Sequence, residues 1–108
     1  RKLTKDHSYV QQLIDEGKIT KEESLKHPKK NMLMKALGCT PFIEPDAMIK
    51  GFIKEDVILM CSDGLTNMVS EERIKQIIKE NPTDATKLLV QEANDNGGND
   101  NITAIIIR

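Results

Sequence analysis

Two aspartates stand beside the two most apolar runs of the chain. Asp63 follows the run at residues 57–61 after a single serine, and Asp100 precedes the run at residues 102–107. If the two runs are neighbouring antiparallel strands, one ends where the other begins, at the same edge of the sheet. Adjacent strands lie about 4.8 Å apart, so the two carboxylates would converge at that edge.

Two close carboxylates repel each other unless a cation or a proton compensates their charge. Mg²⁺ and Mn²⁺ take oxygen ligands, and pairs of such ions about 3.5–4 Å apart serve in phosphoester hydrolysis. Gly64 would let the chain turn away after Asp63, and Gly97 and Gly98 would loosen the backbone before Asp100. The pattern indicates a divalent metal site, although Asp-Gly and Asn-Asp-Asn are also ordinary turn sequences.

The composition is that of one soluble globular domain. The chain has 108 residues, of which 38% are hydrophobic and 31% charged, with a net charge of -1. Such a balance favours neither nucleic acid nor membrane as a partner, and no apolar window has the length of a membrane span. The two cysteines, Cys39 and Cys61, lack metal-finger spacing. They favour a reducing cytoplasm over a disulfide framework, with Cys61 as a small core residue.

Hydrophobic periodicity and capping patterns predict five helices. The first two begin after Asp6 and Thr20, and Thr20 also opens a capping-box pattern. A third, short helix is expected at residues 31–37. Two longer helices are expected to follow Ser70 and Thr83, each with an aliphatic stripe for the core.

Three strands are predicted beside these helices. Residues 47–52 and 57–61 are separated by a short polar turn and are expected to form an antiparallel hairpin. Residues 102–107 are a β-branched run expected to be a strand buried on both faces. Helices that precede and follow the strands favour an α+β fold. Because three strands form a thin sheet, the chain is expected to be part of a larger structure.

Three segments together resemble the C-terminal half of a bacterial type 2C protein phosphatase, of the metal-dependent PPM family. They are DHSYVQQLIDEGKIT at residues 6–20, CSDGLTNMVS at residues 61–70 and GGNDNIT at residues 97–103. HPKKNMLMKALG at residues 27–38 lies between them in the family's order, so the resemblance covers essentially all of the chain. It implies an α-β-β-α sandwich of antiparallel sheets flanked by helices, with residues 1–108 as its C-terminal half only.

The resemblance also implies hydrolysis of phosphoserine and phosphothreonine in proteins, by a water that bridges metal ions. Asp63 and Asp100 match metal ligands of a centre that holds about two to three Mn²⁺ or Mg²⁺ ions in the complete domain. Asn101 and Gly64 stand beside these ligands, and Asn101 is expected to orient the loop rather than to bind metal. Residues 19–37 match a mobile flap that affects access of the substrate.

The family's N-terminal half has no counterpart in this sequence. That half carries a further metal-bridging aspartate and the arginine that binds phosphate, and any general acid is expected there too, so no catalytic residue is assigned here. The chain alone is therefore expected to have little or no phosphatase activity. Its apolar strands are expected to promote self-association or pairing with a missing segment.

Two functional classes remain open. The first is half of a cytoplasmic serine/threonine phosphatase without nucleic acid or membrane partners. Its expected substrates are proteins that a bacterial kinase has phosphorylated. The second is a truncated, non-catalytic module that binds phosphatase partners or substrates. The presence of Asp63, Asp100 and Asn101 together favours the first, since a decayed module has little reason to keep them.

Overall fold

The computed structural model describes every residue of the chain, in two compact units, Arg1–Ile49 and Lys50–Arg108. None of its helices has the length and apolar character needed to cross a membrane. The first unit contains α1 (Tyr9–Asp15) and α2 (Lys21–Leu25). The second contains, in chain order, β1 (Ile58–Cys61), α3 (Asp63–Thr66), α4 (Glu71–Glu80), α5 (Ala85–Asp95) and β2 (Ala104–Ile107).

Helix α1 begins two residues later than the sequence predicts. Its N-cap is Ser8, whose hydroxyl accepts a hydrogen bond from the Gln11 amide at 3.2 Å, so the expected cap at Asp6 is wrong. Asp6 instead forms an exposed ion pair with Lys2, at 2.7 Å. The helix buries Leu13, and Gly17 follows its end with a φ of 70°.

Helix α2 begins with the predicted capping box. The Glu23 amide donates to the Thr20 hydroxyl and the Thr20 amide donates to the Glu23 carboxylate, both at 3.1 Å. Pro28 lies shortly after the helix end, as the restricted backbone before a proline predicts.

The helix expected at residues 31–37 does not form. Leu33 instead makes an antiparallel bridge with Ser8. The Met34 amide donates to the His7 carbonyl at 2.8 Å, and the Tyr9 amide donates to the Met32 carbonyl at 3.0 Å. These backbone groups bond to residues 7 and 9 rather than to residues four positions away in the chain. Local helical propensity therefore does not determine the conformation of the segment.

The sheet of the second unit consists of two strands. β1 pairs with β2 antiparallel, in a register that runs from Ile58 opposite Ile107 to Cys61 opposite Ala104. The hairpin expected from residues 47–52 is wrong, because this segment forms no ladder with β1. The chain makes a local turn between this segment and β1, in which the Asp56 amide donates a hydrogen bond to the Ile53 carbonyl at 3.0 Å.

Only one face of this sheet is covered. Ala104 and Ile106 pack against the helical core, while Ile105 is 53% exposed and Ile107 is 41% exposed. Burial of β2 on both faces is therefore wrong within this chain, and Cys61 is exposed rather than a core residue. Both predictions assumed a second covering layer, and the chain's own helices supply only one.

Helices α4 and α5 form that layer. Ser70 caps α4 as predicted, whereas α5 begins after Asp84, one residue later than the predicted cap at Thr83. The core beneath β1 and β2 is aliphatic, as the near absence of aromatic residues requires. Its buried members are Leu65, Val69, Ile74, Ile77, Ala85, Leu89 and Ala93. The mixture of helices with a small antiparallel sheet confirms the α+β class.

Candidate metal centre

The two aspartates lie next to residues that meet at one end of the sheet. Beyond the last paired residues of β1 and β2, the Ser62 amide donates to the Thr103 carbonyl at 3.0 Å. Asp63 directly follows Ser62, and Asp100 precedes Thr103 by three residues. The chain therefore leaves β1 beside the segment that enters β2, as an antiparallel pair of neighbouring strands requires.

Asp63 is the first residue of helix α3, where the sequence predicted a turn. The helix forms because the Asn67 amide bonds to the Asp63 carbonyl at 2.8 Å and because Leu65 is fully buried. An acidic side chain suits the first turn of a helix. The Asp63 carboxylate is exposed, and no side chain or amide of the chain bonds to it, so both of its oxygens are available to an external cation.

Asp100 lies on a loop that two glycines shape. Gly97 and Gly98 have φ values of 135° and 54°, which side-chain-bearing residues rarely adopt. The loop is tied at its start by Asn96, whose side-chain amide donates to the Met68 carbonyl at 2.9 Å. One carboxylate oxygen of Asp100 accepts the Asn101 amide at 2.7 Å, which leaves the other oxygen available.

Gly64 does not act as a turn residue. It lies inside α3, where it is buried, and it allows the Asn101 carbonyl to approach the helix closely. A Cβ atom at this position would overlap the Asn101 carbonyl oxygen and stand 3.0 Å from the carbonyl carbon. The sequence predicted a sharp turn at Gly64, whereas the structure has the glycine inside a helix at this close approach.

Asn101 contributes its backbone to the same junction. Its carbonyl accepts a hydrogen bond from the Ser62 hydroxyl at 3.0 Å, and the same hydroxyl accepts the Thr103 amide at 3.0 Å. The orienting role of Asn101 stays a prediction, and its backbone carbonyl is the group that takes part in this junction. Ser62 itself was not singled out by the sequence, although an N-cap serine directly after a strand is a visible signal.

The donor set fits a hard divalent cation in part. Asp63 and Asp100 offer carboxylate oxygens, the ligands that Mg²⁺ and Mn²⁺ prefer. A complete octahedral shell needs about six oxygens, and no group of three or more His, Cys, Asp or Glu side chains lies close enough together in the chain to hold an ion. Two carboxylates therefore offer only some of the oxygens that such an ion needs.

The first unit holds a separate cluster of charges around Asp46. The His7 ring Nε2 lies 2.7 Å from one carboxylate oxygen, and the Lys35 ammonium lies 3.3 Å from the other. Lys35 also donates to the Glu44 carbonyl at 3.2 Å. The hydrogen bond with His7 is the main reason that the pKa of Asp46 is lowered, and Lys35 adds to the effect. The cluster ties the loop before residue 47 to the start of α1.

The Asp46 cluster predicts an acid-sensitive part of the chain's stability. Because the folded-state pKa of Asp46 is lowered, its contribution is present above the ordinary carboxyl pKa of about 4 and is lost as the pH falls through the lower, folded value. Asp46→Asn should therefore lower the urea midpoint at neutral pH, and the difference from the unsubstituted chain should shrink in acid. Tyr9 is the only tyrosine and there is no tryptophan, so intrinsic fluorescence reports on this unit. A difference independent of pH would contradict the prediction.

Bacterial phosphatases are among the known proteins to which this chain is similar, although no protein-family model matches it. The serine/threonine phosphatase stp of Listeria monocytogenes serotype 4b is 43% identical over 109 aligned positions, which cover 99% of this chain and 43% of the relative. The protein phosphatase PhpP of Streptococcus pneumoniae serotype 2 is 40% identical over 107 positions, covering 97% of this chain and 44% of the relative. The chain thus spans less than half the length of these relatives.

Solved structures give the same result for the fold. The Mycobacterium tuberculosis serine/threonine phosphatase PstP/Ppp superposes with a TM-score of 0.89 and 36% identity, over 96% of this chain and 44% of that one. The PPM Ser-Thr phosphatase MsPP of Mycobacterium smegmatis, in complex with cacodylate, gives 0.85 and 39%, over 97% of this chain and 46% of that one. The catalytic domain of PstP with 2 manganese ions superposes with a TM-score of 0.82 and 34% identity, over 96% of this chain and 43% of that one.

Proposed function

We propose that this chain, a homologue of the bacterial PPM serine/threonine phosphatases over less than half of their length, is the C-terminal part of such a phosphatase. In this proposal the chain contributes Asp63 and Asp100 as ligands of a divalent metal centre. The observation that carries it is the junction at the end of β1 and β2, where Ser62 bonds to Thr103 and Asn101 and so joins the two aspartate segments. Likeness to phosphatases across 99% of the chain supports the same conclusion.

The chain's part in the reaction is to hold the carboxylates of Asp63 and Asp100 in position for the metal ions. Bound Mn²⁺ or Mg²⁺ would supply Lewis-acid activation of water and of the phosphoryl group. Asp63 presents an exposed carboxylate from the first turn of α3, and Asp100 presents one from a loop whose Asn101 carbonyl accepts the Ser62 hydroxyl. Phosphate binding and protonation of the leaving serine or threonine oxygen fall to residues outside this chain.

The finer parts of the proposal follow from the same likeness. Its substrates are phosphoserine and phosphothreonine in proteins that a bacterial serine/threonine kinase has modified, and its location is the cytoplasm. Manganese is supported by the PstP structure with 2 manganese ions, and magnesium would accept the same oxygen ligands. Residues 19–37, which include α2, are proposed as the flap that affects substrate access.

A chimera tests whether the chain can complete a phosphatase. The chain would replace the matching 43% of the Listeria phosphatase stp, and hydrolysis of p-nitrophenyl phosphate and of a phosphothreonine peptide would be followed with Mn²⁺. We expect turnover by the chimera and none by the chain alone, because the chain lacks a complete ligand set. A chimera that folds and binds Mn²⁺ without turnover would instead support a non-catalytic binding module.

The uncovered sheet face predicts self-association of the isolated chain. Met60 and Ile105 are paired neighbours on the two strands, and they are 55% and 53% exposed. Burying such apolar side chains against a second copy is favourable, so size-exclusion chromatography with light scattering should give a mass above the 12.2 kDa monomer. Replacing both residues with threonine should lower that mass, whereas Ile49→Thr, outside the sheet, should not. A monomer at all concentrations would contradict the prediction.

A further inference from the structure

The Ser62 hydroxyl takes the place of a backbone group in the sheet. The register that pairs Cys61 with Ala104 places Ser62 opposite Thr103, at a hydrogen-bonded position of the ladder, where a pair exchanges two backbone hydrogen bonds. Only one of them is made between backbones, from the Ser62 amide to the Thr103 carbonyl at 3.0 Å. The Ser62 carbonyl has turned into α3, where it accepts the Leu65 amide at 3.2 Å. The Thr103 amide therefore donates to the Ser62 hydroxyl instead, at 3.0 Å.

The same hydroxyl makes a second bond, which reaches the metal-binding loop. It donates its proton to the Asn101 carbonyl at 3.0 Å, so its donor and one acceptor site are both used. Serine at a helix N-cap usually accepts an amide of its own helix, but Ser62 makes no such bond. Both hydrogen bonds of its hydroxyl are made with the opposite segment, at Asn101 and Thr103.

We propose that Ser62 is a positioning residue for the metal centre. Its hydroxyl fixes the backbone that follows Asp100 relative to the peptide that precedes Asp63, and it thereby sets how the two carboxylates face a shared ion. This inference rests on the proposed function. The residues that Ser62 holds are themselves exposed, so water can replace the lost bonds, and removal of the hydroxyl should disturb placement more than folding.

Manganese affinity of the chain tests the inference. Free Mn²⁺ would be measured by its electron paramagnetic resonance signal in titrations of the unsubstituted chain, Ser62→Ala and Ser62→Thr. Loss of a partner that orients a metal ligand typically lowers metal affinity about 10–100-fold, and we expect Ser62→Ala to fall in that range. Threonine keeps the hydroxyl and suits the extended backbone of residue 62, which has a ψ of 163°, so Ser62→Thr should retain the affinity.

Ser70→Ala is the matched control for stability. Ser70 caps α4, where its hydroxyl accepts the Arg73 amide at 3.3 Å, within its own helix rather than on the segment at residues 100–103. Its loss should lower the urea midpoint without changing Mn²⁺ affinity. A Ser62→Ala chain that binds Mn²⁺ as tightly as the unsubstituted chain, or that loses affinity together with Ser62→Thr, would overturn the positioning role of the hydroxyl.

Failure of the proposed function has a different signature. If neither the unsubstituted chain nor its chimera with the Listeria phosphatase binds Mn²⁺, the proposed metal ligands are wrong whatever Ser62 does. If only the chimera binds the ion, the Ser62 and Ser70 variants are compared in the chimera. The structural half of the inference is then decided without metal, by hydrogen exchange of the Thr103 amide. That amide should exchange faster in Ser62→Ala and at its original rate in Ser62→Thr and Ser70→Ala. Unchanged exchange in Ser62→Ala would show that the hydroxyl does not hold the segment.

Discussion

Asp63→Asn is expected to weaken Mn²⁺ binding by the chain more than about 100-fold, because even the loss of an outer partner costs about 10–100-fold. Asparagine preserves the shape of the side chain and one oxygen, but it removes half of the negative charge that the two carboxylates supply. No hydrogen bond or ion pair of the chain depends on this carboxylate. The free energy of unfolding without metal should therefore change little, and the effect should appear in binding alone.

Asp84→Asn provides a matched control for this experiment. Asp84 is an exposed aspartate at the start of α5, and it makes no side-chain capping bond. The helix of 11 residues separates it by about 16 Å from the loop that carries Asp100. This variant should bind Mn²⁺ normally, and in the Listeria chimera it should retain turnover that Asp63→Asn abolishes. Equal Mn²⁺ affinity of the two variants would mean that the ion is not bound through Asp63.

The parts of the fold that the sequence predicts are those decided by local chemistry. The capping box at Thr20 and the cap at Ser70 form because each polar side chain bonds to an amide three residues away. The segment at residues 31–37 has helical character, yet its backbone groups bond to residues 7 and 9. Hydrophobic periodicity cannot predict such a contact, because the contact depends on the position of a segment that is distant in the sequence.

Burial was the least predictable property of the strands. The β-branched run at residues 102–107 suggests a strand covered on both sides, but Ile105 and Ile107 are exposed in this chain. A run of apolar residues indicates that apolar surface must be buried, but it does not predict which segment, in this chain or another, buries it. The same limit explains Cys61, which ends an apolar run and is nevertheless exposed.

For the candidate site, the sequence predicted the pairing of the strands that flank it but not the local geometry, and the metal-ligand roles stay a prediction. Placing Asp63 and Asp100 at one edge needed only that two apolar runs be antiparallel neighbours, which they are. The start of α3 at Asp63 and the use of the Ser62 hydroxyl in the sheet were missed. Both arise from the exit of the chain from β1, where a carbonyl turns into the helix and leaves an amide on the other strand to be satisfied.

Gly64→Ala should destabilise the chain, although alanine is the better helix former by about 1 kcal/mol. The new Cβ would overlap the Asn101 carbonyl oxygen and lie 3.4 Å from the Ile102 side chain. A backbone carbonyl cannot swing aside as the end of a long side chain can, so the loop or the helix must shift. Overpacking of this kind costs typically about 1–3 kcal/mol in the free energy of unfolding, which urea denaturation would measure.

Gly51→Ala separates this clash from the general effect of adding a methyl group. No heavy atom lies within 4 Å of the position that its Cβ would take, so the free energy of unfolding should be unchanged or higher by up to about 1 kcal/mol. The Gly64 variant should also lose Mn²⁺ affinity, because the carbonyl it displaces is the one that Ser62 holds at 3.0 Å. Gly64 permits the approach that Ser62 fixes, so both changes act on the position of Asn101. A Gly64→Ala chain as stable as Gly51→Ala would show that this close approach does not exist in solution.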